Sequence, residues 1–142
     1  MTPARERLYR TVSGVLCAAF AIVGGLFLLA PRGVLAFFDG WSRRLGLAPS
    51  AGPPGELFVV LAVAYMVLVT VLAASMVRHP RDLASARLLV QAKLASALLS
   101  FAVFFLRRPE LVLLVNGIVD GAIALLVLLL VRGGAASAER SA

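Results

Sequence analysis

The sequence predicts an all-α integral membrane protein, a bundle of four transmembrane helices with an interfacial amphipathic helix between the first and the second. Three observations predict it. Apolar residues make up 61% of the 142-residue chain and charged residues only 15%, whereas soluble domains are roughly 45–50% apolar. The apolar residues gather into four runs, each near the roughly 20 residues that cross a hydrocarbon core. The arginines flank those runs, where a basic side chain meets anionic headgroups.

The same features limit what the chain does. A formal charge of +7 and a pI near 11.3 would also fit a nucleic-acid binder. The basic residues border apolar runs and form no basic face interleaved with aromatics, so nucleic acid is not expected as a partner. With one cysteine and one histidine, the chain cannot close an internal disulfide. Nor can it build a zinc, iron–sulfur or bis-histidine haem site alone. No cofactor, metal or catalytic residue is expected.

The basic start, with Arg5, Arg7 and Arg10 against Glu6, resembles that of a signal peptide. The run Val12 to Ala30 is longer than a signal core, and Pro31-Arg32 follows without a small-residue cleavage site. The run is therefore read as the first span. Gly14, Ala18, Ala21 and Gly25 recur in it at helical spacing, a stripe on which helix backbones approach closely in lipid. Cys17 sits beside the stripe as a small packing residue.

Residues 31–55 form the one long connection. Val34, Phe37, Phe38, Trp41 and Leu45 fall near one helical face, and Asp39, Ser42 and Arg43 on the other, with Arg44 at the border. This pattern predicts a helix over Phe37–Leu45 lying in the membrane plane, with Trp41 at headgroup depth. It serves as a lipid-lying connector or as a lid over the bundle. LAPSAGPPG at 47–55 ends it.

The second span runs from Glu56 to Val77, with Glu56 at the positive end of the helix dipole. Tyr65 and Thr70 are its mid-span polar groups, read as packing residues. His79 in the following turn is read as a solvated loop residue. The third span runs from Asp82, an expected N-cap, to Leu106. The turn at 107–110 leads into the fourth, Leu111 to Val131, with Pro109 suited to the helix start. The single domain is expected to occupy residues 1–132, followed by a flexible polar tail at 133–142.

The fourth span carries Asn116 and Asp120 one turn apart, with Gly117 and Gly121 beside them. A carboxylate at that depth is costly unless it faces protein, water or a partner. The short turn makes the third and fourth spans antiparallel neighbours. Lys93, Ser96 and Ser100 share a face of the third span. Counting from the turn sets Asp120 near Ser96 and Ala97, Asn116 near Ser100, and Lys93 about one turn deeper. A polar seam of these five side chains follows, with Lys93 paired to Asp120 or snorkelling toward Arg87 and the interface. Three readings stay open. The seam is a structural lock, or Asp120 is a proton- or substrate-binding group in a cavity, or Asp120 meets a second subunit across the glycine face.

Four spans, Pro31 closing the first, an amphipathic connector at Phe37-Phe38 and NGxxDG at Asn116 to Gly121 together resemble the small four-helix DoxX-like membrane proteins. That resemblance implies a helical membrane component, in some cases an accessory to a quinone-linked oxidoreductase. The residues themselves contain no P-loop, HExxH or GxSxG motif. The first expectation is a non-enzymatic subunit or scaffold of a membrane assembly; its partners are the lipid bilayer and a second copy or a larger complex. The second is a small transporter or proton-coupled carrier using Asp120. An enzyme acting on lipid or quinone would need interfacial groups such as Arg32, Glu56 or Glu110. Arg5, Arg7, Arg10, Arg78, Arg81, Arg87, Arg132 and Arg140 lie on the side of the termini, against Arg32, Arg43, Arg44, Arg107 and Arg108 opposite. Eight against five places both termini in the cytoplasm of a bacterial inner membrane.

Overall fold

In hydrocarbon a backbone must satisfy its own polar groups, and a helix does so within one segment. The structure, a computed structural model, describes residues 3–50 and 55–139, and side chains up to Arg132. Five helices follow in order: α1 (Pro3–Leu29), α2 (Pro31–Arg44), α3 (Glu56–Arg78), α4 (Ala84–Leu106) and α5 (Leu111–Glu139). Among the described residues the only β-type contact is an isolated bridge between Ala48 and Glu110. Helices α1, α3, α4 and α5 are each long and apolar enough to cross a membrane. Their outer faces are apolar, with Leu29 85%, Leu106 82% and Phe105 74% exposed. A water-soluble monomer rarely shows so extended an apolar surface; lipid is the solvent that suits it. The chain is a small membrane-spanning helical bundle.

Helix α1 begins at Pro3, well before the apolar run at Val12. Its polar first turns are held by an Arg10–Glu6 pair at 3.0 Å, one turn apart. The other Glu6 oxygen lies 4.0 Å from Arg81 in the α3–α4 turn. The helix stops because Pro31 disfavours the α conformation for the residue before it. Ala30 accordingly takes φ −141°, ψ 51°, and Pro31 then opens α2 from its first turn. In the α3–α4 turn, Asp82 accepts a hydrogen bond from the Ala84 amide at 2.9 Å. The N-cap position itself is Leu83, so Asp82 works one residue earlier than expected. His79 is exposed, as a loop histidine should be.

The most extensive packing joins α1 to α3 and α4 to α5, and α3 meets α4 over a shorter length. Tyr9, Leu16 and Phe20 of α1, Val69, Ala73 and Met76 of α3, Ala86 and Leu89 of α4, and Val127 of α5 form one buried cluster. Contacts between α3 and α4 include Ser85 Oγ donating to Ser75 Oγ at 2.9 Å and Tyr65 donating to the Ala92 carbonyl at 3.2 Å. At the opposite end, the Ala48 amide donates to the Pro109 carbonyl at 3.2 Å and ties the long connection to the α4–α5 turn.

Three expectations are corrected. The packed face of α1 is Tyr9, Ser13, Leu16, Phe20 and Gly24. Ala18 and Ala21 are exposed, and a Cβ added at Gly14 or Gly25 would meet nothing within 4 Å. The close approach to α3 is at Gly24, where an added Cβ would lie 2.9 Å from Met66 Cβ. Bulky Leu16 and Phe20 win the packed face because burying them gains more contact than burying a small stripe. In α2, Ser42 is buried and Asp39 half-buried, while Phe37, Trp41 and Leu45 are exposed together with Arg43 and Arg44. The polar face expected to point outward is thus turned partly inward, because Asp39 is bound by Ser50. Finally, helical backbone does not end near Arg132 but continues to Glu139. Extending a helix adds one bond per residue fixed, and Ala135, Ala136 and Ala138 favour that extension. The last three residues of the expected tail lie outside the described ones.

Gly24→Ala is expected to destabilise the bundle in detergent. Overpacking costs about 1–3 kcal/mol, more than the roughly 0.5–1 kcal/mol gained when Gly is replaced inside a helix. Gly14→Ala and Gly25→Ala should raise the melting temperature slightly, since only the second effect operates there. Thermal melts of the three variants check the sign at each position.

Candidate functional site

The polar side chains that the helix spacing sets at mid-span come together inside the bundle. Lys93 Nζ lies 2.7 Å from Asp120 Oδ1, with side chains 1% and 5% exposed. Lys93 does not snorkel, because it has a better partner inside. Its ammonium also sits 4.6 Å from the Phe20 ring centroid and 5.0 Å from that of Tyr65. Both distances are within the roughly 6 Å at which a ring face attracts a cation. Phe20 is on α1, Tyr65 on α3 and Asp120 on α5. The one lysine on α4 is therefore held by a group from each of the other three spans.

Toward the α4–α5 turn the seam becomes neutral. Asn116 Nδ2 donates to Ser100 Oγ at 2.8 Å and to Ser96 Oγ at 3.2 Å. The register follows the two glycines. Gly117 is buried against the Phe101 ring, which a Cβ there would meet at 2.9 Å, and a Cβ added at Gly121 would lie 3.9 Å from Ala97 Cβ. The glycine face is turned to α4 rather than outward, so this chain's own helix occupies the surface on which a second subunit was envisaged. Thr70 and Cys17 are internal in role. Thr70 donates to the Met66 carbonyl in its own helix at 2.7 Å, and Cys17 Sγ lies 3.7 Å from the Thr70 carbonyl. Three buried oxygens, Asp120 Oδ2, Tyr9 Oη and Ser13 Oγ, have no hydrogen-bond partner among the described residues.

Two adjoining cavities open on the connector side of the seam. One, of about 640 Å³, lies between α3 and the α4–α5 pair. Tyr65, Ser96, Ser100 and Asn116 line it toward mid-span, and Arg107, Arg108 and Glu110 line it toward the turn. The other, of about 490 Å³, lies between α1 and α5 beneath α2, and its walls are nearly all apolar. Phe27, Met66, Val112 and Asn116 border both. Neither is lined by Lys93 or Asp120. The larger cavity is polar along the seam and at the turn, and its other walls are apolar, among them Phe27, Leu35, Phe58 and Met66. This polar cavity reaches the neutral part of the seam and stops short of the charged part. Among the described residues no three His, Cys, Asp or Glu side chains converge to hold a metal ion.

The roof is fastened by Asp39. Its Oδ1 accepts from the Ser50 amide at 2.8 Å and from the Ser50 hydroxyl at 2.7 Å. These two bonds, together with the nearby Arg43 charge, hold the Asp39 carboxyl below its ordinary value of 3.8. Phe20 and Tyr65 are the site residues that spacing did not single out for the seam. Aromatic positions near mid-span on the other two helices, at the depth of Lys93, were the available signal. No protein-family model, curated protein or solved structure matches this chain.

The Asp39 anchor has a defined pH dependence. A carboxyl with a lowered folded value adds stability above its unfolded value and loses it as pH falls through the folded one. Protection of the Ser50 amide from hydrogen exchange should therefore be constant from neutral pH down to the ordinary carboxylate range. It should fall in more acidic solution. In Asp39→Asn, which keeps an acceptor and loses the charge, protection should be weaker throughout and insensitive to acid.

Proposed function

We propose that the chain is a non-enzymatic subunit or scaffold of a bacterial inner-membrane assembly, with the Lys93–Asp120 pair as its internal lock. The single observation that carries this reading is the closure of the pair on itself at 2.7 Å inside a box of Phe20 and Tyr65. The ammonium is spent on a carboxylate and two rings, and the amide hydrogens of Asn116 on two serines. A carrier using Asp120 needs a path from water to that carboxylate, and the cavity ends at Asn116. The carrier reading ranks second on this ground. Its support is the second Asp120 oxygen, buried and without a partner among the described residues. The four-span layout with Pro31 and NGxxDG supports kinship with the DoxX-like proteins on architecture.

In the structural reading, removing one member of a buried pair costs about 3–5 kcal/mol, because the other is left buried and unpaired. Asp120→Asn should lower stability by that order, and adding Lys93→Met should restore most of it. In the carrier reading Asp120→Asn folds normally and loses only proton-coupled transport. Melts of both single variants and the double variant separate the two, and purely additive losses would eliminate the lock.

The termini lie in the cytoplasm in this proposal, supported by eight basic residues on their side against five opposite. Helix α2 then lies in the periplasmic headgroup plane, with exposed Phe37, Trp41 and Leu45 in lipid. In a Cys17→Ala background, a cysteine at Arg43 should react with an impermeant thiol reagent from the periplasm. Trp41 fluorescence should be quenched most by agents held at headgroup depth. Labelling from the cytoplasm alone would reverse the orientation.

A further inference from the structure

We propose that the two adjoining cavities form one binding site for an anionic phospholipid, with the headgroup in the polar cavity and an acyl chain in the apolar one. The mouth of the polar cavity carries Arg107 and Arg108. Glu110 lies 3.7 Å from Arg108 and offsets one of the two charges, so the mouth is net positive. Arginine pairs with phosphate through a planar fork of donors, and the C-terminal end of α4 sets both side chains at the end of a span, where headgroups lie.

Below the mouth the walls keep hydrogen-bonding groups. Ser100 is two turns from Arg107, about 10 Å by helix rise, a gap that the long arginine side chains shorten. The occupant at that level carries polar atoms, as the glycerol and ester region of a lipid does. Asn116 uses both amide hydrogens on the serines. The groups that meet ester oxygens at that level are the Ser96 and Ser100 hydroxyls, which accept from Asn116 and keep their own hydrogens to donate. Past Asn116, the residues shared by the two cavities lead to the apolar one, walled by side chains such as Val23, Phe38 and Val119. A hydrocarbon chain entering there loses nothing, since no polar partner is needed. The volumes, about 640 Å³ and 490 Å³, fall in the range of roughly 300–1,000 Å³ typical of small-molecule sites. Charge at the mouth, hydroxyl groups below it and an apolar extension together favour an anionic amphiphile over a free anion, which would leave the second cavity unused. The site is independent of the Lys93–Asp120 lock, which lines neither cavity.

The test uses the full chain reconstituted in vesicles of equal phosphatidylglycerol and phosphatidylcholine, then extracted and analysed by native mass spectrometry for retained lipid. Wild-type protein should retain phosphatidylglycerol over phosphatidylcholine by about fivefold, the order expected for one net positive charge near an anionic lipid. Arg107→Gln with Arg108→Gln should bring that ratio close to one. Arg78→Gln with Arg132→Gln, at the other end of the bundle, should leave it unchanged. Ala62→Phe, which fills the polar cavity from α3, should reduce retained phosphatidylglycerol with both arginines intact, its fold verified by thermal melt. Equal retention of the two lipids by wild type overturns the proposal. So does a preference that survives loss of Arg107 and Arg108, or one that depends equally on Arg78 and Arg132. If Ala62→Phe fails to fold, Ser100→Val probes the same wall. Undiminished phosphatidylglycerol retention in the folded cavity variant also overturns it.

Discussion

An ammonium group at the centre of a membrane-spanning bundle must be neutralised within the protein, and the arrangement around Lys93 satisfies that requirement. Lys93 lies near the middle of α4, and Asp120, Phe20 and Tyr65 near the middles of the other three spans. Hydrophobic burial does not order helices in lipid, because lipid tails are as apolar as leucine. The order has to come from close packing and from polar contacts. A single charge that contacts all three other spans limits how the two helix pairs can slide or rotate relative to each other. The neutral contacts of Asn116 with Ser96 and Ser100 add direction to the α4–α5 pairing, which the Gly117–Phe101 fit already brings close.

The charged lock also divides the bundle into two unlike halves. On the side of the termini, Tyr9, Met76, Ala86, Leu89 and Val127 are buried together, and Ser75 bonds Ser85 across α3 and α4. On the other side, the α3–α4 contact gives way to the 640 Å³ cavity. Helix α2 and residues 45–50 cover that half through the Asp39–Ser50 bonds and the Ala48–Pro109 bond. A short turn at 79–83 forces α3 and α4 together at one end. Residues 45–55 are long enough that no such constraint acts at the other.

Much of this was legible in the sequence, and the exceptions have physical causes. The four spans follow from apolar length alone, and the antiparallel register of α4 and α5 follows from the short turn at 107–110. With that register, the facing of Lys93, Ser96, Ser100, Asn116 and Asp120 is a matter of helix geometry. The face of α1 was not legible. Gly14, Ala18, Ala21 and Gly25 make as regular a stripe as Ser13, Leu16, Phe20 and Gly24, and a small or apolar residue of a helix in lipid can face either lipid or protein at similar cost. Only the partner helix decides between them, and one sequence contains no direct record of that partner. For α2, the hydrophobic pattern correctly indicated a helix but missed the Asp39–Ser50 bond, which depends on how the chain turns back between Leu45 and Ser50.

The position of the lock relative to the cavity has a consequence for both. A buried ion pair keeps its value only where the local dielectric is low, since water weakens the attraction between two charges severalfold. A water-filled cavity reaching Lys93 or Asp120 would weaken the contact that orders the bundle. The neutral layer of Asn116, Ser96 and Ser100 lies between the cavity and the pair. Its hydroxyl and amide groups tolerate water or a ligand headgroup, because their hydrogen bonds to one another can be exchanged for bonds to an occupant at little net cost. The charged layer cannot make that exchange without exposing an ion. Placing neutral polar groups above the pair therefore lets the connector half of the bundle hold a polar occupant while the Lys93–Asp120 contact stays outside the cavity wall.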